Sequence, residues 1–328
     1  MEHGLYKHKF YGELRIPMID EDNLGKSEVI EDLPMDTYQA DMAHVSNSGI
    51  KQVLISPDNF LAWVSERGED DDDEEEDHFR FGRAVHMSIL EPKLFESMYV
   101  VEPVFEGLTK DGKMSTRSGE AQEKKKAWYQ ELPEGALVIT EAEMDMLTMM
   151  IQQLVNHPQA NELLKNGKPE VTLLWTDPIT KIRCRARPDY ISRDPNGNIY
   201  VMDVKSTKAR TKDEFKREIE RLNYNMQLAF YSDGIKETFK QEPEAAAFIA
   251  LSKVFPHHCF VYWQGEHMNY TGRNLYRHGL KALRRSIITN DWPTPQVQAE
   301  MIDHTNEQYM PILPQYPWTK EYQELTNE

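Results

Sequence analysis

The sequence predicts an α/β (α+β) protein: a mixed β-sheet flanked by helices, preceded by a helical N-terminal half. Three observations carry that prediction. Apolar residues recur at helical spacing through the first half of the chain, the period changes to two from Glu170, and a long amphipathic segment then separates two further strand-like runs. With 328 residues, 39% hydrophobic and 10% aromatic, the chain can bury one large core or a core with a helical annex.

Residues 1–40 are polar, carry Pro17 and Pro34 and hold no sustained period, which predicts an irregular arm. "SNSGIKQVLISPDNFLAWVSE" opens with cap residues and predicts one or two short helices broken at Pro57. "EDDDDEEED", Glu69 to Asp77, repels itself and predicts a solvated, disordered loop over residues 68–78. "FRFGRAVHMSILEP" puts Phe81, Val85 and Ile89 on one helical face with His86 beside it, and stops at Pro92. "SGEAQEKKKAWYQEL" and "TEAEMDMLTMMIQQLVNHP" predict two more helices, the second capped by Thr140. "EVTLLWTDPITKIRCRARPDYIS" predicts two strands around "DPIT", and "IYVMDVK" after "DPNGN" makes a third strand of a meander. "TKDEFKREIERLNYNMQLAFYSDGIKETF" predicts one long helix, "AAAFIALSKV" and "HCFVYWQ" two strands, and "NLYRHGLKALRRSIITN" a closing helix. Residues 291–328, Pro-rich from Trp292 onward, predict an extended strap without a core of its own.

Composition narrows the function classes. No window approaches eighteen uninterrupted apolar residues, and "MEHGLYKHKFYGEL" lacks the apolar run of a secretory signal, so the expected setting is cytoplasmic, without a membrane partner. Cys184 and Cys259 give no disulfide framework, no CxxC and too few thiolates for a four-cysteine metal or iron–sulfur site. A formal charge of −17 argues against nonspecific coating of DNA, because each phosphate contact needs a cation. The acidic run carries nine of those charges, and basic clusters remain at Lys124–Lys126, Lys181–Arg187, Lys205–Arg221 and Arg284–Arg285, where a polyanion could find a groove.

The residues that suggest chemistry lie in "RPDYISRDPNGNIYVMDVKST". Strand alternation puts Val201, Asp203 and Lys205 on one face, and the hairpin brings Asp189 within reach of Asp203. Two carboxylates in a partly dry site repel, and a divalent cation with oxygen ligands is the simplest remedy. Lys205 would then stand where an ammonium can meet a phosphate and orient a water, the parts that metal-assisted phosphodiester hydrolysis needs. A bare DxK is more often an ordinary buried salt bridge. Here the RPD at a strand end, the turn and the following helix supply the context that a lone motif lacks.

In that context residues 187–205 resemble the PD-(D/E)XK nuclease superfamily, with Pro188-Asp189 as the PD and Asp203-Val204-Lys205 as the (D/E)XK. "FGRAVHMSILEP", "GKPEVTLLW", "CRARPDYI", "DVKST", "EFKREIERLNYNMQLAFYSDG" and "FIALSKVFPHHCFVY" follow the order of the RecE-type exonuclease (exonuclease VIII) catalytic domain. The resemblance implies a restriction-endonuclease-like core over residues 41–290. It implies a metal site of His86, Asp189, Asp203 and the Val204 carbonyl, with Lys205, Asp203 and Asp189 catalytic. The expected ion is Mg²⁺, and the imidazole would let Mn²⁺ serve too. Glu170 resembles the glutamate before the first core strand and either holds a second metal or only caps. In this branch the (D/E)XK acid is accepted as Asp.

Gln227 and Tyr231 stand four apart and share a helix face. The superfamily's QxxxY helix lies against the active-site sheet, where Gln can bond a base or backbone and Tyr can support a phosphate. Arg117 falls near the family's arginine suited to a 5′-phosphate, or is a solvated loop residue. Arg185 and Arg187 alternate along the strand entering the site, where one of them could reach DNA. The resemblance further implies a 5′-to-3′ exonuclease on linear double-stranded DNA in a phage or prophage recombination setting. Its product would be 3′ overhangs for a single-strand annealing protein, and the enzyme a homo-oligomer, tetramer or trimer. The other readings are a structure-specific or single-strand nuclease of the same superfamily, and a non-catalytic acidic interaction protein on a nuclease fold.

Overall fold

A computed structural model describes residues 5–8, 11–22, 26–66 and 77–294. Most of the acidic run and the expected strap beyond Thr294 lie outside these residues. Asp77 and His78, assigned to the loop from sequence, instead begin a helix.

The arm expected over residues 1–40 contains regular elements. β1 (Leu5–His8) pairs antiparallel with β2 (Gly12–Arg15), β3 (Ser27–Ile30) joins a later sheet, and α1 (Met35–Ala40) follows. Tyr6, Leu14 and Ile16 are buried in the main core. Four-residue strands alternate too briefly to leave a period, which is why the sequence reads as irregular. α2 (Asn47–Ile55) and α3 (Pro57–Glu66) match expectation: Ser46 Oγ accepts the Gly49 N–H, and Pro57 takes the first helical position, where its missing N–H costs nothing. α4 (Asp77–Leu90) carries His86, and α5 (Pro92–Met98) restarts at the proline expected to end it.

The "helical half" is also interrupted by strands. β4 (Tyr99–Glu102) pairs in parallel with β7 (Leu137–Thr140), and between them lie the short hairpin β5 (Gly107–Leu108) and β6 (Met114–Ser115) and helix α6 (Gly119–Gln130). α7 (Glu141–Asn156) opens on a full capping box, with Thr140 and Glu143 satisfying each other's backbone N–H, worth about 1 kcal/mol. α8 (Pro158–Leu163) leads into the strands.

The meander expected from Glu170 onward is split between two sheets. β8 (Gly167–Pro169), β11 (Tyr190–Arg193) and β12 (Ile199–Thr207) belong to a five-stranded sheet that β13 (Ala245–Ser252) and β14 (Cys259–Trp263) complete in the order β14-β13-β12-β11-β8. β9 (Thr172–Thr176) and β10 (Arg183–Ala186) form a separate sheet with β3. Both strands of the expected hairpin break at the same level. Pro188 cannot donate to a ladder, and opposite it Glu170 sits at φ 53° while its N–H reaches the Asp189 carbonyl at 3.1 Å. The single long helix is likewise two, α9 (Lys212–Leu222) and α10 (Tyr224–Phe239), parted by Asn223 at φ 52°, a conformation Asn tolerates better than most residues. α11 (Glu266–Thr289) closes the fold.

β12 is buried on both faces, as a central strand with a parallel neighbour should be. Val201 faces one core with α10, α11 and α2, while Met202 and Val204 face a second core with α4 and α7. Trp292, expected to start the strap, packs on Tyr6 and Phe60 at ring separations of 5.3 and 6.4 Å and belongs to the first core.

Candidate active site

The break between β10 and β11 sets the site. Tyr190 is in register with Met202, so Asp189 stands beside Asp203, and Asp189 Oδ2 accepts the Val204 N–H at 2.6 Å. That bond fixes the carboxylate against the middle of β12. Two residues further along the same face, Lys205 Nζ lies 2.6 Å from Asp203 Oδ2. From the other side α4 lies against β12: a Cβ placed on Gly82 would sit 3.6 Å from Ser206 Oγ, ordinary contact distance. His86, one turn on from Gly82, brings Nδ1 to 3.3 Å from Asp189 Oδ2.

His86, Glu170 and Asp189 each offer a ligand atom, all within 4.8 Å of one another. Asp203 stands outside that group and faces Lys205, so the closest-set trio is not the His86–Asp189–Asp203 set that the resemblance implies. Glu170 is drawn in by its left-handed backbone and by Arg187, whose Nε reaches Glu170 Oε2 at 2.8 Å. Burial and the Asp189 charge push the Glu170 carboxyl up to about 8 despite Arg187, and Glu91 adds to the rise. Burial pushes Asp203 up to about 6, with Lys205 opposing and Asp189 assisting. Burial also works against the Lys205 ammonium, but the Asp203 and Asp189 charges outweigh it and hold its pKa above the ordinary lysine value.

These residues fit a divalent cation. Asp203 Oδ1 is buried without a hydrogen-bond donor, Oδ2 meets only the Lys205 ammonium, and Arg187 Nη1 is likewise without a partner. Buried polar groups left this way call for an explanation, and beside a His–carboxylate cluster a bound cation supplies one. One imidazole with several carboxylates is a donor set suited to Mg²⁺ or Mn²⁺.

The family described as "PDDEXK-like domain of unknown function (DUF3799)" matches residues 46–305. The chain belongs to that family. No curated protein matches it. Among solved structures, a protein from Eubacterium rectale named "Putative exonuclease" superposes with a TM-score of 0.51 at 14% identity, over 84% of this chain and 97% of that one. At that identity the likeness shows a shared fold. A second structure, SSO0001, reaches a TM-score of only 0.27 at 18% identity, over 52% of this chain and 68% of that one.

In this PDDEXK-like chain the remaining residues singled out from sequence fare unevenly. Gln227 and Tyr231 do share a face of α10, but Gln227 Nε2 donates to the Tyr231 hydroxyl at 2.8 Å. Burial and the Asp203 and Asp189 charges raise the Tyr231 hydroxyl well above its ordinary pKa, so the pair borders the carboxylates. Arg185 corrects the expectation of a DNA contact. It is 2% exposed, its guanidinium lies 4.7 Å from the Tyr38 ring centroid and 4.0 Å from Asp41, and it donates to the Tyr38 carbonyl. Arg187 is committed to Glu170 and the same Tyr38 ring. Arg117 is exposed in the turn before α6, with its N–H on Ser115 Oγ.

Sequence reasoning missed Glu91, Tyr38, Lys51 and Tyr224. The first follows α4 in "ILEP", five residues past His86, a spacing that puts it on no shared helix face with the histidine. The others come from segments whose approach to β12 no local pattern encodes. Among the described residues no helix is long and apolar enough to cross a membrane, and Cys184 and Cys259 are buried free thiols.

Proposed function

We propose that the protein is a divalent-metal-dependent 5′-to-3′ exonuclease that digests linear double-stranded DNA. It would leave 3′ single strands for an annealing protein. The observation that supports this most is the His86–Glu170–Asp189 cluster set beside the Asp203–Lys205 pair: α4 supplies His86, the matched strand breaks supply Glu170 and Asp189, and β12 supplies Asp203 and Lys205. The solved structure that shares the fold is named "Putative exonuclease", which is in keeping with nuclease activity.

The residues divide the work by charge. His86, Glu170 and Asp189 would hold the ion, with Asp203 and the Val204 carbonyl close by on β12. A bound divalent ion supplies Lewis-acid stabilisation of charge that develops on the phosphate. Lys205, kept cationic by Asp203, would donate to a non-bridging phosphate oxygen and orient the attacking water. Tyr231, its proton secured by burial and by the carboxylates, can donate to a phosphate but cannot act as a base at neutral pH. Mg²⁺ is the proposed physiological ion with Mn²⁺ tolerated, the compartment cytoplasmic and the assembly a homo-oligomer.

The test compares one plasmid in two forms, cut and covalently closed, with Mg²⁺. Progressive loss of the linear form from its 5′ ends and survival of the closed circle are expected. Equal attack on both forms favours a structure-specific or single-strand nuclease. Inertness on both forms with either Mg²⁺ or Mn²⁺ favours a non-catalytic protein on a nuclease fold.

A further inference from the structure

Outside the carboxylate cluster the site holds a second group of like charges, on elements that no local sequence pattern joins. Lys51 Nζ, from α2, lies 5.6 Å from the centroid of the Tyr224 ring, and Lys205 Nζ, from β12, lies 4.7 Å from the same centroid. Tyr224 reaches both because Asn223 breaks the helix there and Tyr224 opens α10. Arg221, in the last turn of α9, adds its charge to the field at the Tyr224 hydroxyl.

Part of this has a structural explanation. Lys51 Nζ donates to the Leu222 carbonyl at 2.7 Å, and a cation at the C-terminal end of α9 is favourable there. An ammonium has three N–H donors, however, and that bond uses one. Nor does capping require a half-buried lysine to stand close to a second ammonium. Burial and the Lys205 charge pull Lys51 down to about 8, and Asp203 is the anion that opposes them. The same Asp203 is the main counter-charge of Lys205. Glu218, the other carboxylate acting on Tyr224, is engaged by the Thr207 hydroxyl at 2.6 Å. One carboxylate shared between two ammoniums leaves the two lysines short of negative charge. A phosphodiester group supplies what is missing: one charge, with two oxygens open to donors from either side.

We propose that Lys51, Tyr224 and Lys205 form a phosphate subsite that seats the DNA backbone next to the carboxylate cluster, with Lys51 binding the phosphate that adjoins the scissile one. The subsite rests on the nuclease reading above and deepens it, since it assigns substrate-positioning to a residue outside the PD-(D/E)XK motif. Lys51 acts by holding the strand, leaving the reacting atoms to Lys205 and the carboxylates.

The experiment measures binding of a fluorescein-labelled blunt duplex oligonucleotide by the full chain in Ca²⁺, by anisotropy across a salt series. Mn²⁺ affinity is read by calorimetry on the same preparations. Lys51→Met should weaken duplex binding roughly tenfold and flatten the log K against log salt slope by about 0.9, the loss of one phosphate contact. Its Mn²⁺ affinity should match wild type, and Lys51→Arg, which keeps the charge, should keep most of the binding. Wild-type affinity and slope in Lys51→Met overturn the subsite and leave the nuclease reading standing. So does a parallel loss of duplex binding, Mn²⁺ affinity and melting temperature, which would make Lys51 only the cap of α9. A wild-type protein that neither binds the duplex in Ca²⁺ nor digests it in Mn²⁺ overturns the nuclease reading and the subsite with it.

Discussion

Asp203 and Glu170 pay for their burial in protons, and that cost can be measured. Their carboxyls titrate near 6 and 8, above the ordinary values of 3.8 and 4.5, so between those limits the folded protein holds protons that the unfolded chain has released. The stabilisation from the protonated forms is therefore complete below about pH 4 and is lost as pH rises through about 6 and then 8. Melting in EDTA should show the temperature falling from about pH 4 to 8, and Mn²⁺ at about pH 8 should restore it. A flat metal-free profile would contradict the raised titration of these two buried carboxylates. Glu170→Gln should remove the upper part of the fall. The same cluster predicts that His86→Ala and Asp189→Asn each weaken Mn²⁺ binding by about tenfold or more in calorimetry. Lys205→Ala should bind Mn²⁺ at least as well as wild type, because the change removes a competing cation 2.6 Å from Asp203.

At the scale of elements, the close approach of α11 to α10 sets where Tyr224, and through it the phosphate subsite, can lie. A Cβ on Gly272 would meet the Asn225 carbonyl oxygen at 2.2 Å, so Gly272→Ala must push α11 away from the start of α10. It should destabilise the protein by about 1–3 kcal/mol in denaturant unfolding. An unchanged midpoint would mean that the helices do not pack this closely. The elements also show what the sequence could and could not tell. The strand carrying Asp203 and Lys205, the cap at Thr140 and the break at Pro57 were legible because each follows a local rule of alternation, capping or proline geometry. The left-handed turns at Glu170 and Asn223 were not, since neither residue is a glycine and a lone Glu or Asn inside a periodic run does not by itself announce that conformation. Those two turns divide the expected meander between two sheets and the expected long helix in two, and so bring Glu170 to His86 and Tyr224 to Lys51. Arg185 misled for a related reason: strand alternation gave the face it is on, while its burial depends on Tyr38, in the arm read as irregular, and on Asp41 just after it.

For the whole molecule, a net charge of −17 has to be reconciled with a polyanionic substrate. The proposed answer is assembly: copies arranged in a closed ring would turn their basic clusters to one channel and their acidic surfaces outward, so that holding DNA depends less on raw affinity. Sedimentation at micromolar protein should then give one discrete oligomer. Trp292 belongs to the core, so the truncation that probes the proposed strap must end after Thr294, and it should weaken the oligomer without lowering the melting temperature. A monomer that digests long linear duplex processively would contradict the ring and leave the site chemistry intact. The claim on which everything else depends is that this cluster cleaves DNA with a bound metal and the Lys205 ammonium. It is tested most directly by release of acid-soluble nucleotides from linear duplex in Mn²⁺, with wild type and Lys205→Ala side by side at matched Mn²⁺ occupancy. The account predicts rapid release by wild type, none in EDTA, and a loss of at least about a hundredfold in the variant; wild-type rates in Lys205→Ala, or a wild-type protein that releases nothing, would contradict it.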